Sequence, residues 1–430
     1  MPRRPLAARS TRFAGLAVAL ALFPSCRSTL DSLGCTEQNP GLDRGGGLAG
    51  VINLAPLLGP ASYPSAFRDL LGKSDGEISA KVADTFNQLF HGDTGNQAIF
   101  YTTGTDQAYI LDVLHDEIRT EGIGLGMVIA VELDKRTEFD QLWRYAKSIQ
   151  ITNGPDQGYF PSFCNNGGNG SAPCNDPFGL QEIATALLLA RGRWQGSPGT
   201  IDYGQEAGNL LAILRNKAAD NCRVVADVSA AFDDASKLVY DQPIPASANV
   251  SRPSIVMPAY YDLWRQATGD AFWSGAATAA RGYWQAAANP TTGLVPEKAT
   301  FDGTPVAGFD TFAPECNRTF FNMALDRIWS GSSTWVVNES NRVLQFFYGQ
   351  GLTSYGQVYS LDGTDEISPI HDASLVAANG ALALIATTSN RADFVNEIWN
   401  FTLPTGNPRY YVGITQLLAM VMLSGQMKVY

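Results

Sequence analysis

About a dozen segments of helical periodicity, with no clear strand series between them, most constrain what this chain can fold into. They run from Ala66 to Tyr430, near 67–92, 122–133, 137–150, 181–194, 204–217, 257–268, 271–288, 317–329, 333–348, 371–387, 391–400 and 409–424. Leu187, Leu188, Ala190, Arg191 and Trp194 recur at the three- and four-residue spacing of one helix face, as do Ala207, Leu210, Leu211 and Leu214. No composition break divides the stretch, so it reads as a single all-α domain over 67–430. A toroid of helix pairs, an (α/α)6 barrel, satisfies the count. A solenoid is the alternative, and the lack of a strict repeat period weighs against it. Loops of more than about 15 residues in a compact domain usually carry function, which directs attention to 152–180 and 289–316.

The first 25 residues have the pattern of an export signal. Arg3, Arg4, Arg9 and Arg12 precede an apolar run, Phe13 to Phe23, that is too short to span a bilayer. Pro24-Ser25-Cys26 follows, so Cys26 is a candidate for lipidation; simple secretion is the alternative. Residues 26–66, which include Gly45-Gly46-Gly47, read as a tether or a loosely packed extension. The chain is therefore expected to be exported: secreted, periplasmic or lipid-anchored at a bacterial surface. It is read as a monomer.

The whole chain of 430 residues has a net charge of −11. Losing 1–25 removes four Arg and no acid, so the remainder carries −15. That charge disfavours nucleic acid and other polyanions. Three His, far apart and outside any HExxH, and six Cys without a CxxC give no metal-binding pattern. No cofactor is expected. Cys164 and Cys174 bracket a Gly/Asn-rich loop, where a local disulfide is plausible in an exported protein. Aromatic residues at 10% suit a neutral polymer substrate.

Two segments gather carboxylates. In Asp116–Asp134, Glu121 stands at the start of an apolar helix beside Gly122, Gly124 and Gly126, which permit close approach of backbone or ligand. A carboxyl in such apolar surroundings is a candidate for a raised pKa and an acid role; the plainer reading is an acid favoured by a helix start. In Gly308–Arg318, Asp310 and Glu315 precede the next helix. A base fits there, and so does a capping or salt-bridging acid.

These residues resemble glycoside hydrolase family 8. AYILDVLHDEIRTEGIGLGMVIAVELDKRTEFDQLWRYAKS at 108–148 is similar to the family's helices around an S-E-G-x-S-x-G-M motif. ATALLLARGRW at 184–194, RPSIVMPAYYDLW at 252–264, NPTTGLVPEKATFDGTP at 289–305, ADFVNEIWNFTLPTGNPRYY at 392–411 and MLSGQMKVY at 422–430 extend the similarity in order. It is greatest to the branch containing reducing-end xylose-releasing exo-oligoxylanases. The resemblance implies an (α/α)6 barrel and hydrolysis of β-1,4-linked glycans with inversion, here most simply xylan-derived oligosaccharides. Inversion needs an acid on the leaving oxygen and a base on a water, roughly 6.5–9.5 Å apart. Glu121 falls on the general acid.

The base side departs from the family pattern. The family's Asp, three residues before an Arg, is here Glu315 before Arg318, with Asp310 as the fallback base. The Asp that lies near the reacting sugar falls, without gaps, on Phe178; Asp176 takes that role only if the loop shifts by two. The Tyr of a P-S-Y segment, which helps to hold the attacking water, is here Ile255, with Tyr260 or Tyr261 as candidate replacements, though both also fit a helix core. His371 stands where the branch has a Leu-His-Pro loop and is a candidate for binding a sugar hydroxyl, or a capping His. Arg318, Tyr159 and Tyr261 complete the candidate substrate contacts, with Phe160, Phe163 and Trp194 as further stacking aromatics. The altered base side also admits a second hypothesis, a catalytically impaired or carbohydrate-binding protein on the same fold.

Overall fold

From the third helix on, every second helix is buried over most of its length, so it must be enclosed by others. The computed structural model describes residues 54–152, 156–165, 176–194, 201–216, 230–244, 247, 249–331 and 334–430. In chain order its helices are α1 (Ala66–Leu71), α2 (Asp75–His91), α3 (Thr120–Glu132), α4 (Arg136–Ile149), α5 (Pro177–Trp194), α6 (Tyr203–Asn216) and α7 (Pro258–Thr268). Then follow α8 (Ala271–Ala287), α9 (Asn317–Ser330), α10 (Thr334–Gln350), α11 (Ala373–Ile385), α12 (Arg391–Asn400) and α13 (Arg409–Leu423). Helices α3, α5, α7, α9, α11 and α13 each pack on the next, and α13 returns to α3. Outside this ring α4 lies on α3, α6 on α5, α8 on α7, α10 on α9 and α11, α12 on α11, and α2 on α13. The molecule is the expected (α/α)6 barrel.

Residue pattern explains which helix goes where. All 13 residues of α11 are buried, and in α3 every residue but Glu121 is. The outer α4 instead buries one stripe, Phe139, Leu142, Trp143, Tyr145 and Ala146. The three glycines of α3 serve this packing rather than a ligand. A Cβ on Gly122 would lie 2.8 Å from the Tyr410 hydroxyl of α13; on Gly124, 2.6 Å from Glu182 Cβ of α5. On Gly126 it would lie 3.0 Å from Ile110. Gly179 of α5 faces them: its Cβ would lie 2.7 Å from the Thr120 backbone. Small residues on both sides bring the starts of α3 and α5 together.

Three details differ from the sequence reading. The segment 67–92 is two helices, because Gly72 adopts φ 65° and ends α1, while Ser74 and Glu77 form a capping box that starts α2. Helix α5 begins at Pro177, four residues before the expected 181. Short strands are present where none were expected. They are β1 (Phe100–Thr103), β2 (Gln107–Asp112), β3 (Glu117–Arg119) and β4 (Phe163–Asn165) in one antiparallel sheet. A pair, β5 (Val250–Ser251) with β6 (Ala299–Thr300), and a sheet of β7 (Thr311–Phe312), β8 (Val358–Ser360) and β9 (Glu366–Ser368), complete the set.

Residues 54–65, read as the end of a loose extension, are largely exposed but anchored to the barrel at a few points. Leu54 and Leu57 are buried, Ala55 N donates to Ala267 O at 2.8 Å, and Arg191 donates to the carbonyls of Leu54 and Ala55. At the end of α3 opposite Glu121, the buried Glu132 accepts from Lys428 N and from the Tyr430 hydroxyl, both at 3.0 Å, and so holds the C-terminal strand of chain. Cys164 and Cys316 are buried. Cys26, Cys35, Cys174, Cys222 and the leader at 1–25 lie outside the described residues.

Candidate active site

The starts of the inner helices meet at one end of the barrel. Glu121 in the first turn of α3 contacts Arg318 at the start of α9. Arg318 also stands over Phe178 at the start of α5. Tyr411 at the start of α13 donates to Pro314 O just before α9, at 3.1 Å. Asn317 of α9 donates to Ser374 of α11, at 2.9 Å. Strands β3, β5 and β7 feed α3, the turn before α7, and the turn before α9 at this same end.

Arg318 organises the site. Its Nη2 donates to Glu121 Oε1 at 2.7 Å, and its Nη1 lies 3.4 Å from Glu315 Oε2. One planar guanidinium reaches both carboxylates, a task its fork geometry suits. Their nearest oxygens therefore cannot be further apart than the roughly 9.5 Å upper end of the inverting separation. Glu315 is also 3.7 Å from Arg252 Nη1.

The two carboxyls are pushed in opposite directions. Burial raises Glu121 to about 7, with Arg318 opposing it. Its side chain is 14% exposed, and that of Glu315 is 43% exposed. The Arg318 charge, aided by Arg252, lowers Glu315 below the ordinary Glu range. At neutral pH one group can carry a proton while the other stays ionised, the separation that acid–base pairs need.

Asp176 does reach this site. Its Oδ1 accepts from Phe178 N at 3.0 Å, capping α5. It feels the charges of Arg318 and Arg252, and burial raises its pKa. Phe178 itself is buried under Arg318. Asp310 is exposed on the loop before β7; Glu315 is the carboxylate that meets Arg318.

Other expected contacts are placed elsewhere. Tyr159 and Phe160 are each 1% exposed and offer no open ring face. Trp194 lies at the far end of α5, its Nε1 donating to Asp134 at 2.7 Å. Tyr261 and Tyr260 are committed to α5: they donate to Gln181 Oε1 at 2.8 Å and Glu182 Oε2 at 2.6 Å. Neither replaces the missing Tyr hydroxyl at Ile255, which is buried. The ring of His371 is engaged on both sides, Nδ1 with Tyr355 O and Nε2 with Glu397 Oε1, each at 2.9 Å. A carbonyl and a carboxylate both accept, so the two partners favour a ring that donates from both nitrogens. The Glu397 hydrogen bond raises its pKa accordingly. No ring nitrogen is left for a sugar hydroxyl.

Sequence reasoning missed Arg252, Asp241 and Tyr410. Asp241 accepts from Arg252 Nε, and Lys298 Nζ lies 2.8 Å from its other oxygen. The Tyr410 hydroxyl is buried beside Gly122, with no hydrogen-bond partner among the described residues. The Arg252-Pro253-Ser254 and Asn407-Pro408-Arg409-Tyr410-Tyr411 stretches were the available signals.

Comparison with known proteins bears on this site. Residues 110–426 match glycosyl hydrolases family 8. The reducing-end xylose-releasing exo-oligoxylanase Rex8A of Paenibacillus barcinonensis is 33% identical over 369 residues, 84% of this chain and 94% of that protein. Endoglucanase A of Acetivibrio thermocellus is 30% identical, over 68% of this chain and 58% of its own length. The structure of Rex8A complexed with xylose superposes with a TM-score of 0.81 at 33% identity, covering 86% of this chain and 98% of that one. A family 8 xylobiose complex from Teredinibacter turnerae gives 0.80 at 29% identity, with the same coverage of each chain. A matched region spanning most of the barrel, from β2 to beyond α13, together with full-length relatives at this identity, places the chain in glycosyl hydrolases family 8.

Proposed function

We propose that this chain hydrolyses β-1,4-linked xylo-oligosaccharides with inversion at the anomeric carbon, Glu121 acting as general acid and Glu315 as general base. Protonated Glu121 donates its proton to the departing glycosidic oxygen. Ionised Glu315 takes a proton from a water that attacks the anomeric carbon from the opposite face. The observation that carries this reading is the Arg318 guanidinium, which touches both carboxyls while their protonation preferences stand far apart. Asp176 and the unpartnered Tyr410 hydroxyl are the neighbouring groups able to bind the reacting sugar.

The substrate class rests on relatives. The exo-oligoxylanases match nearly their full length, and the endoglucanase over little more than half of its own. The reading as a carbohydrate binder without hydrolysis is not favoured, because the altered residues leave the opposed pair intact.

The test is incubation with xylo-oligosaccharides, cello-oligosaccharides and chitosan, with Glu121→Gln as control. Sugar release from xylo-oligosaccharides, lost in the variant, is expected, and anomeric NMR of the first product should show inversion. Binding without release in either protein overturns the reading. We further propose action outside the cytoplasm, supported by the basic and apolar pattern of residues 1–25. Sequencing the N-terminus of the exported protein, with radiolabelled palmitate to probe Cys26, tests it.

A further inference from the structure

A Glu at the base position has one more methylene and one more rotatable bond than an Asp, so its carboxylate has more places to be. Near-attack geometry tolerates little of that freedom. The structure restrains Glu315 by one oxygen: Oε2 lies 3.4 Å from Arg318 Nη1 and 3.7 Å from Arg252 Nη1. Oε1 accepts no hydrogen bond from the described residues. Arg252 is itself fixed. It directly follows β5, its Nε donates to the buried Asp241, and Lys298 pairs with the other Asp241 oxygen. The next turn carries Ile255, whose side chain has no polar atom to share in holding a water.

We propose that Arg252, braced by Asp241, is a positioning residue for Glu315: with Arg318 it grips Oε2 and leaves Oε1 to take the proton of the attacking water. The inference rests on the hydrolase reading for its catalytic meaning, while the geometric claim stands apart from it. Other charged or titratable groups acting on Glu315 are Arg119, Asp241, Glu121, Glu297, Cys316 and Tyr411. None of them is substituted in the variants below, and Lys298 still pairs with Asp241.

The experiment titrates the Glu315 carboxyl by 13C NMR in protein labelled at the Glu side-chain carboxyl, with Glu315→Gln assigning the signal. In Arg252→Gln the Glu315 midpoint should rise by about one unit or more, a tenfold change in its proton affinity. The acid limb of kcat/KM for xylo-oligosaccharides should move up by the same amount. With the base less well placed, kcat should fall about tenfold or more while KM stays within about twofold. Arg252→Lys, which keeps the charge without the fork, should give an intermediate midpoint and partial rescue of kcat; it also serves if Arg252→Gln does not fold. An unchanged Glu315 midpoint in a folded Arg252 variant overturns the proposal. Wild-type protein that releases no sugar overturns the hydrolase reading instead, and the titration still judges Arg252.

Discussion

The Arg318 guanidinium carbon lies 4.6 Å from the centre of the Phe178 ring. Phe178 occupies the place where an ungapped count puts the family's sugar-side Asp, and Asp176, two residues earlier, reaches the site instead. Phe178 has become the platform under the residue that joins acid and base. Its face attracts the cation and fixes the plane in which both carboxylates are met. A cation over an aromatic face is worth ~0.5–2 kcal/mol. Phe178→Leu keeps the burial and removes the ring. It should lower kcat/KM roughly 2- to 30-fold, with a small change in melting temperature. Kinetics paired with calorimetry check it: equal loss of activity and folded fraction would mean that the ring acts through packing alone.

The opposed carboxyls predict a bell-shaped pH profile. Glu121 must be protonated, so activity should fall as pH rises through about 7. Glu315 must be ionised, so activity should fall again only well into the acid range, below its ordinary pKa. The kcat/KM profile of the free enzyme reports both limbs. Glu121→Gln should remove the alkaline limb and lower kcat by about 10²–10⁴-fold, while calorimetric binding of xylo-oligosaccharide persists. An alkaline limb that survives the substitution would assign the acid elsewhere.

The barrel was legible because its signal is periodic. The segments 271–288 and 391–400 coincide with α8 and α12 to within a residue. The strands were not, since β3 is three residues long and exists by pairing with β2 on one side and β4 on the other. Such pairing is tertiary and leaves no local pattern. Glu121 was legible through its motif. The grip of Arg252 on Glu315 was not, because it joins a strand end to a distant turn. Tyr159 and Tyr261 were misplaced for a related reason: an aromatic on an apolar face has the same local signature in a core as in a sugar subsite. The glycines of α3 left open whether backbone or ligand comes close; their room is filled by neighbouring helices and β2.

Gly124 tests that last point. A Cβ there would lie 2.6 Å from Glu182 Cβ and 3.1 Å from Gly179 O. Both belong to a helix packed on all sides, so neither can retreat freely. Gly124→Ala should destabilise the fold by ~1–3 kcal/mol, as overpacking does. It should also lower kcat, because the displaced end of α3 carries Glu121. Denaturant melts and steady-state kinetics on the same preparation check both; an unchanged melt would show that the helices can part without cost.

Glu132 predicts how stability changes with pH away from the site. Burial raises it to about 8, while in the unfolded chain it titrates near 4.5. Between those values the folded protein holds a proton that the unfolded chain has released, so stability must fall as pH rises through that window. Glu121 and Glu182, each raised to about 7 by burial, add to the decline below pH 7. Above pH 7 the remaining decline belongs chiefly to Glu132. Glu132→Gln keeps an acceptor for Lys428 N or the Tyr430 hydroxyl and abolishes the titration. The variant should lose less melting temperature than wild type between pH 5 and 8, with the slopes of the two curves converging only below about 4.5 and above about 8. Parallel curves across the whole range would mean that Glu132 is already ionised in the folded protein, held so by Arg193 and the C-terminal chain.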